Sequence, residues 1–477
     1  MIADELRLKI EYALKHSPTA DQRGAIATFA EFMSSRSGHA VMILRGSAGT
    51  GKTTLASAIV RCLQSLGQKL VLLAPTGRAA KVLAQYSGTA AYTVHRRIYR
   101  QRTAGDLSSF SLNDNLHADT LFVVDESSMI SNAAGGGSQF GSGHLLDDLL
   151  QYVYSGRNCR LLLTGDEAQL PPVGEERSAA LSTAWLEDAG MEVYESNLHE
   201  VLRQEQESGI LRNATYIREL LDRGTVTSLP RLQLSGFADI SNVSGDELIE
   251  SLATSYSRAG LDETIVVTRS NKRANIYNQG IRNTVLDMES ELCRGDELMV
   301  VKNNYYWTEK SERKDLDFIA NGDRCVVERV RNVHTMHGFR FAEATVLFPD
   351  YDDYELQAMV LLDTLTSESA ALTSAQQEQL FESVQADYAD IGLKSERMKQ
   401  LRQDRYYNAL QIKFAYAVTC HKAQGGQWSH VYVDQGYMTD DMLSAEYLHW
   451  LYTALTRARE KVFLVNWPKQ QTEPTKG

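Results

Sequence analysis

The stretch "RGSAGTGKTTLAS", Arg45 to Ser57, places Gly46, Gly49 and Gly51 ahead of Lys52, Thr53 and Thr54. Glycines at these spacings let backbone N–H groups close around phosphate oxygens. Lys52 would then reach the β- and γ-phosphates and Thr53 would ligate Mg²⁺. An apolar run, "AVMIL", precedes the loop. A helical pattern follows it, with Leu55, Ile59, Val60, Leu63 and Leu66 on one face and a stop at Gly67. A loop that opens a helix also gains the affinity of the helix N-terminus for anions. A chance glycine turn would lack this strand-before, helix-after setting, so the stretch reads as a cradle for a nucleoside triphosphate.

Three further blocks could complete that chemistry. In "LFVVDESSM", Asp125 ends an apolar strand pattern and can hold Mg²⁺ through water, while Glu126 can orient or deprotonate an attacking water. Phosphoryl transfer also calls for positive charge where the γ-phosphate departs, an effect worth about 10³–10⁵ in rate. Arg203 in "HEVLRQ" and Arg457 in "LYTALTRARE" are the candidates. By local sequence alone, either can equally be a surface arginine.

The positioning elements are legible as runs. "KLVLLAPT", "TLFVVDE" and "RLLLTGD" are continuous apolar stretches suited to strands buried on both faces of a parallel sheet, with ligands expected beyond their carboxyl ends. "ETIVVTRS", "HVYVDQG" and "KVFLVNW" repeat the pattern and predict a second α/β unit. Between the first of these and the other two, residues 291–348 hold short β-type runs with turn signals, which predicts a small antiparallel barrel. Residues 365–404 are polar and helical in pattern, and read as a solvated helical appendage. The expected order is a first unit over 1–185 with a hairpin insert at 99–117, a second unit beginning over 186–290, the barrel and its helical extension over 291–404, and the rest of the second unit over 405–477.

Composition sets bounds. The chain has 477 residues, 43% hydrophobic and 23% charged, enough for about three domains at roughly 150 residues each. A net charge of −12 leaves no global basic footprint, so any nucleic-acid surface must be a local channel. The five cysteines are scattered and form no CxxC pair, which argues against a zinc site or disulfide framework and fits a reducing, cytoplasmic setting. The N-terminal stretch carries charge throughout, and no run approaches the roughly 20 apolar residues that span a bilayer. No membrane association is expected.

"LLLTGDEAQLPPVG" (161–174) narrows the reading, because GD-x-x-QLPPVG after a strand resembles the third motif of superfamily 1 helicases, in particular the RecD-like and Dda-like branch. Other blocks of that family follow in order: "SPTADQRGAI" (17–26), "APTGRAAKVL" (74–83), "YTVHRRI" (92–98), "LHEVLRQ" (198–204), "AYAVTCHKAQGGQW" (415–428) and "LYTALTRAR" (451–459). The resemblance implies two RecA-like domains with parallel sheets and an inserted SH3-like barrel. It implies an ATP-dependent, Mg²⁺-requiring DNA helicase that moves 5′ to 3′ on single-stranded DNA and acts at single-strand/duplex junctions, expected as a monomer.

Residue by residue, the resemblance assigns Gln22 to adenine, Gln169 to sensing the γ-phosphate, and Arg203 and Arg457 to arginine fingers. Gly425 and Gln427 fall beside the nucleotide. Thr76, Thr93, His95, Thr419, His421 and Lys422 fall along the strand-binding groove, where hydroxyls and basic groups suit phosphate oxygens. A duplex-separating pin is expected at 100–115, where Phe110 either stacks on the last base pair or is an incidental aromatic of a hairpin tip. Two positions depart from the family: Gln427 stands where Glu is frequent, and Cys325 where glycine is common. The loop "SNAAGGGSQFGSGH" (131–144) sits where another branch carries its own motif. Two alternatives stay open: a translocase subunit of a larger complex, and a P-loop ATPase that remodels proteins.

Overall fold

The computed structural model describes residues 2–14, 16–101, 110–133, 140–200, 207–224, 227–308 and 318–472. Helices α1 (Ile2–Ala13) and α2 (Ala20–Ser34) lead in, and Thr19 and Gln22 close a reciprocal capping box at the start of α2. The chain then alternates β1 (Ala40–Gly46), α3 (Lys52–Ser65), β2 (Lys69–Ala74), α4 (Gly77–Ser87), β3 (Ala91–Thr93) and α5 (Val94–Ile98). A two-stranded hairpin, β4 (Tyr99–Gln101) and β5 (Phe110–Leu112), interrupts the alternation. It resumes with β6 (Thr120–Val124), α6 (Leu145–Ser155), β7 (Arg160–Gly165), α7 (Thr183–Asp188) and β8 (Glu192–Leu198).

The six strands other than the hairpin form one parallel sheet in the order β3-β2-β6-β7-β1-β8. Every residue of β6 is buried, as a strand with helices on both faces requires. The phosphate loop therefore leaves the sheet from β1, one strand in from the edge, close to the ends of β6 and β7.

The chain continues through α8 (Gly209–Arg223), β9 (Ile240–Val243), α9 (Leu248–Arg258), β10 (Thr264–Thr268) and α10 (Asn271–Gly280). It then builds a closed barrel from β11 (Glu297–Val300), β12 (Arg324–Met336), β13 (Phe339–Phe348) and β14 (Tyr354–Leu361). Two helices, α11 (Ser374–Asp387) and α12 (Lys394–Arg402), come before the fifth barrel strand, β15 (Leu410–Phe414). The last stretch is β16 (Ala417–Thr419), α13 (Cys420–Ala423), β17 (Trp428–Asp434), α14 (Ala445–Leu455), β18 (Ala458–Val465) and α15 (Lys469–Thr472). These strands join β9 and β10 in a second parallel sheet, ordered β16-β10-β17-β18-β9. The fold is α/β with two parallel-sheet units and an inserted barrel. Among the described residues, no helix is long and apolar enough to cross a membrane.

Three expectations need correction. Residues 192–198 were assigned to the second unit, yet β8 pairs with β1 over its whole length and closes the edge of the first sheet. Its alternating exposure is that of an edge strand, a weaker signal than the buried runs. Arg45 secures this edge, with bonds to the Leu181 carbonyl, Glu195 and Asn197. The barrel was ended at 404, yet β15 at 410–414 closes it. It was also expected to be antiparallel, but β15 lies parallel to β14 because the chain returns through α11 and α12 rather than a tight turn.

The barrel is tied to the second unit by a buried pair. Arg282 grips Asp296 through two bonds of 2.7 and 2.9 Å, and the Tyr416 hydroxyl donates to the same carboxylate at 2.9 Å. The appendage is more than a solvated arm: Leu380, Val384 and Leu401 pack on Phe339, Phe341, Met359 and Leu361 of the barrel. Leu380→Ala should therefore cost about 3 kcal/mol in chemical denaturation. It should leave nucleotide turnover unchanged, because this cluster does not reach the cleft between the sheets.

Candidate active site and strand interface

The phosphate loop is shaped by glycines at particular backbone positions. Gly51 caps α3 at φ +77°, and Gly49 lies at φ +83°. A Cβ on Gly46 would come within 2.8 Å of the Thr50 hydroxyl, so only glycine lets the loop fold back on itself. Lys52, Thr53 and Thr54 form the first turn of α3.

The two acids sit at the end of β6. Asp125 Oδ1 accepts from the Thr164 hydroxyl at 2.5 Å and from the Glu126 N–H at 2.9 Å, which fixes its carboxylate beside the loop. Glu126 adopts a left-handed backbone, φ +53°, a conformation that costs a non-glycine residue energy and recurs at functional sites. Burial raises its pKa, against the lowering influence of Lys52 and Arg457. Among the described residues, Glu126 Oε2 and Gln169 Oε1 are buried without a hydrogen-bond partner. Such orphaned acceptors are rare, and that of Glu126 lies at the cavity beside the loop.

The second unit closes over this site. A cavity of about 250 Å³ is lined by Thr53, Asp125 and Glu126 from the first unit and by Gly425 and Gln427 from the second. Arg457 is 3% exposed and sits near enough to lower the pKa of Glu126. Its own hydrogen bonds, to the carbonyls of Thr453 and Gly426 and the Thr456 hydroxyl, all stay within the second unit. Arg203 lies outside the described residues.

The contact between units is dense. The Tyr452 hydroxyl accepts from the Ala48 N–H of the phosphate loop at 2.8 Å and donates to Asp166 at 2.7 Å. Thr453 accepts from the Leu170 N–H, Gln424 donates to the Leu170 carbonyl, and His449 bonds the Ala168 carbonyl. Arg218 on α8 donates to the Ser47 hydroxyl of the loop.

Gln22 takes a different place from the one expected. It is fully buried, its amide donates to the Thr50 carbonyl at 3.2 Å, and its carbonyl serves the Thr19 cap. In this conformation it braces the phosphate loop.

The strand candidates fall into two groups. Thr76 and Thr93 are N-caps of α4 and α5, their hydroxyls accepting from Ala79 and Arg96 N–H groups. Thr419 stands at the start of α13 with no capping bond, leaving its hydroxyl available. Lys422 bonds Asn321, and burial lowers its pKa to about 8. His95 packs its ring 4.9 Å from Phe140, and burial lowers its pKa to about 4, so near pH 7 it is neutral and brings no charge to a phosphate. Burial lowers the pKa of His421 as well.

The pin residue is corrected. Phe110 is 8% exposed, with its ring 4.5 Å from Tyr305, 4.9 Å from Phe140 and 6.4 Å from Phe318. A ring of this size gains roughly 1.5–3 kcal/mol by burial, which outweighs presenting it at a tip. It anchors the hairpin base to the connection between the barrel strands β11 and β12. The tip, 102–109, lies outside the described residues, as do 134–139 of the glycine-rich loop.

Comparisons with known proteins meet this geometry. Residues 18–229 match the family model described as an AAA domain, and residues 414–465 that of the UvrD-like helicase C-terminal domain. The ATP-dependent RecD2 DNA helicase of Deinococcus radiodurans is 26% identical over 455 residues, covering 94% of this chain and 50% of that protein. The ATP-dependent DNA helicase dda of Enterobacteria phage T4 is 24% identical over 305 residues, covering 59% of this chain and 61% of that one.

These matches make the chain similar to the RecD-like and Dda-like superfamily 1 helicases.

It spans about half the length of the RecD2 relative. A crystal structure of a Pif1 helicase from Bacteroides, in complex with ADP-AlF3 and ssDNA, aligns with 96% of this chain and 95% of that one at 14% identity and a TM-score of 0.47.

The residues that sequence reasoning missed are those that join the units. Tyr452, Thr453, Asp166 and Gln424 all stand inside motif blocks already quoted, so their neighbours were the signal. Arg218 has no such flag, because a single arginine on an amphipathic helix looks like solvated surface. Of the two departures, Gln427 stays at the cavity, with its carbonyl accepting from Arg78 at 2.8 Å. Cys325 is fully buried in the barrel, where burial raises its thiol pKa.

Phe110→Ala should cost about 3–5 kcal/mol locally. It should raise proteolytic cleavage within the hairpin while leaving cleavage elsewhere unchanged, which limited proteolysis with mass mapping reads directly.

Proposed function

We propose that this chain is an ATP-dependent DNA helicase that moves 5′ to 3′ on single-stranded DNA and separates strands at single-strand/duplex junctions. The observation that carries the reading is the composite cavity: Thr53, Asp125 and Glu126 from one unit and Gly425 and Gln427 from the other line one space, with Lys52 and Arg457 both acting on Glu126. The names of the RecD2 and dda relatives support DNA as the track.

The residues present suit Mg-ATP. Gly46 and Gly51 shape the cradle, and the orphaned oxygens of Glu126 and Gln169 await partners. Thr53 and Asp125 are the residues that would hold Mg²⁺, whose charge offsets that of the phosphate oxygens. Glu126, with its pKa raised by burial, is suited to take a proton from the attacking water. Arg457 supplies positive charge from the second unit, and Arg203 is assigned the same part. Gln169, next to the contacts at Ala168 and Leu170, reports the γ-phosphate to the unit interface. Hydrolysis then loosens the closed pair of units, and Thr76, Thr93, Thr419 and Lys422, split between them, shift their grip along the strand.

ATP hydrolysis with and without single-stranded DNA, using Lys52→Ala as control, tests the reading. Stimulation by the strand and loss in the variant are expected. An absence of stimulation would favour the protein-remodelling class, and stimulation without strand separation a bare translocase. Glu126→Gln should retain ATP and DNA binding but lose about 10²–10⁴ in turnover. A 5′-tailed duplex should be unwound in preference to a 3′-tailed one, and the reverse preference would overturn the polarity.

Strand affinity should also depend on pH. The Lys422 ammonium, with its pKa near 8, is charged at pH 7 and loses its proton as pH rises through 8. Affinity for a short oligonucleotide should therefore fall between pH 7 and 9, and Lys422→Arg should flatten that fall.

A further inference from the structure

The cavity at the nucleotide site does not stop at the acids. From Thr53, Asp125 and Glu126 it continues between α3 and α4, past Thr54, Ser57 and Arg61 on one side and Ala79, Val82 and Tyr86 on the other. Thr54, Ser57 and Arg61 recur at helical spacing, so they line one wall of α3. Ser57 is 4% exposed, and among the described residues its hydroxyl is buried without a partner. Arg61 stands at the far end, where it donates to the Tyr86 and Ala13 carbonyls. The passage thus runs from the acids, past an unpaired hydroxyl, to a guanidinium.

We propose that this passage is the exit for inorganic phosphate, and that the strand-facing motifs gate it. The proposal rests on the ATPase reading above. When water attacks the γ-phosphorus and the bond to the bridging oxygen breaks, ADP keeps the cradle and phosphate is left on the side of the acids. The opposite side is shut while the units are closed: Tyr452 bonds Ala48, Thr453 and Gln424 hold Leu170, and Gln22 backs Thr50. The passage along α3 is the free direction, and an anion leaving that way meets the Ser57 hydroxyl and then the positive charge of Arg61.

The gate is Gly425. A Cβ there would lie 2.9 Å from the Thr76 hydroxyl and 3.1 Å from Ala79 Cβ, so the backbone of the second unit rests directly on the first turn of α4. Thr76 and Thr419 are both assigned to the strand. A strand held between them sets the spacing of α4 and Gly425, and with it the width of the passage. Stimulation of turnover by DNA then acts on phosphate departure.

The test separates bond cleavage from product departure. Rapid quench measures cleavage of ATP, a fluorescent phosphate-binding protein measures free phosphate, and a fluorescent ADP analogue measures ADP release. All three are run on the full chain with single-stranded DNA. Val82→Trp narrows the passage from a half-buried position on α4, and Arg61→Gln removes the charge at its mouth while keeping a donor. Each should leave cleavage and ADP binding unchanged and delay free phosphate about fivefold behind cleavage. Phosphate that appears as promptly as cleavage in folded Val82→Trp overturns the exit. If Val82→Trp does not fold, prompt phosphate from Arg61→Gln overturns it. A wild-type chain that cleaves no ATP refutes the ATPase reading itself, a result distinct from prompt phosphate release by an active variant.

Discussion

The closed arrangement turns on one buried hydroxyl. Tyr452, 1% exposed, takes the Ala48 N–H from the phosphate loop and gives its own proton to Asp166, so a single atom of the second unit touches two parts of the first. Each bond of this kind contributes only about 0.5–1.5 kcal/mol net, because water satisfies the same groups when the units part. Leaving one unmade in the closed state costs about 1–3 kcal/mol. The closed state is therefore exacting in geometry but modest in energy. That is the condition under which a ligand's binding energy can decide between open and closed.

The same desolvation that makes Tyr452 exacting sets the chemistry of Glu126. A carboxylate at the end of an apolar strand is held away from water, which raises its pKa, while Lys52 from one unit and Arg457 from the other pull it back. Its basicity thus depends on whether the units are together. Both influences on Glu126 that lower its pKa come from charges on either side of the cleft, so the carboxylate answers to both units at once. The left-handed backbone at Glu126 and its unpartnered Oε2 are costs accepted at the same point.

Sequence reasoning reached the elements whose signal is local. The buried runs of β1, β2, β6, β7, β10, β17 and β18 read as strands because both faces are covered, and the glycine loop read as a cradle because its backbone demands glycine. It placed β8 in the wrong unit because an edge strand alternates weakly and its pairing with β1 is a long-range fact. It placed Phe110 at a tip because an aromatic in a polar segment looks exposed, whereas its partners Tyr305 and Phe318 arrive from some two hundred residues away. Gln22 was expected at adenine because its motif suggests a contact. Only the packing of α2 shows that both ends of its amide are already engaged.

The barrel gives the two units a third link. Arg96 of the first unit donates to the Phe318 carbonyl at 2.7 Å, lies 3.6 Å from Asp323 and stacks 4.3 Å over Tyr351. Lys81 reaches the Pro349 carbonyl and Asp350. These cations sit on α5 and α4, among the motifs assigned to the strand, yet their charge is spent on the barrel. The barrel is in turn fixed to the second unit through Arg282 and Asp296. A second unit that moves against the first must therefore slide or release the barrel contacts as well as those of Tyr452. The two units are thus joined both directly and through the barrel, so parting them is a concerted change rather than the swing of a free hinge.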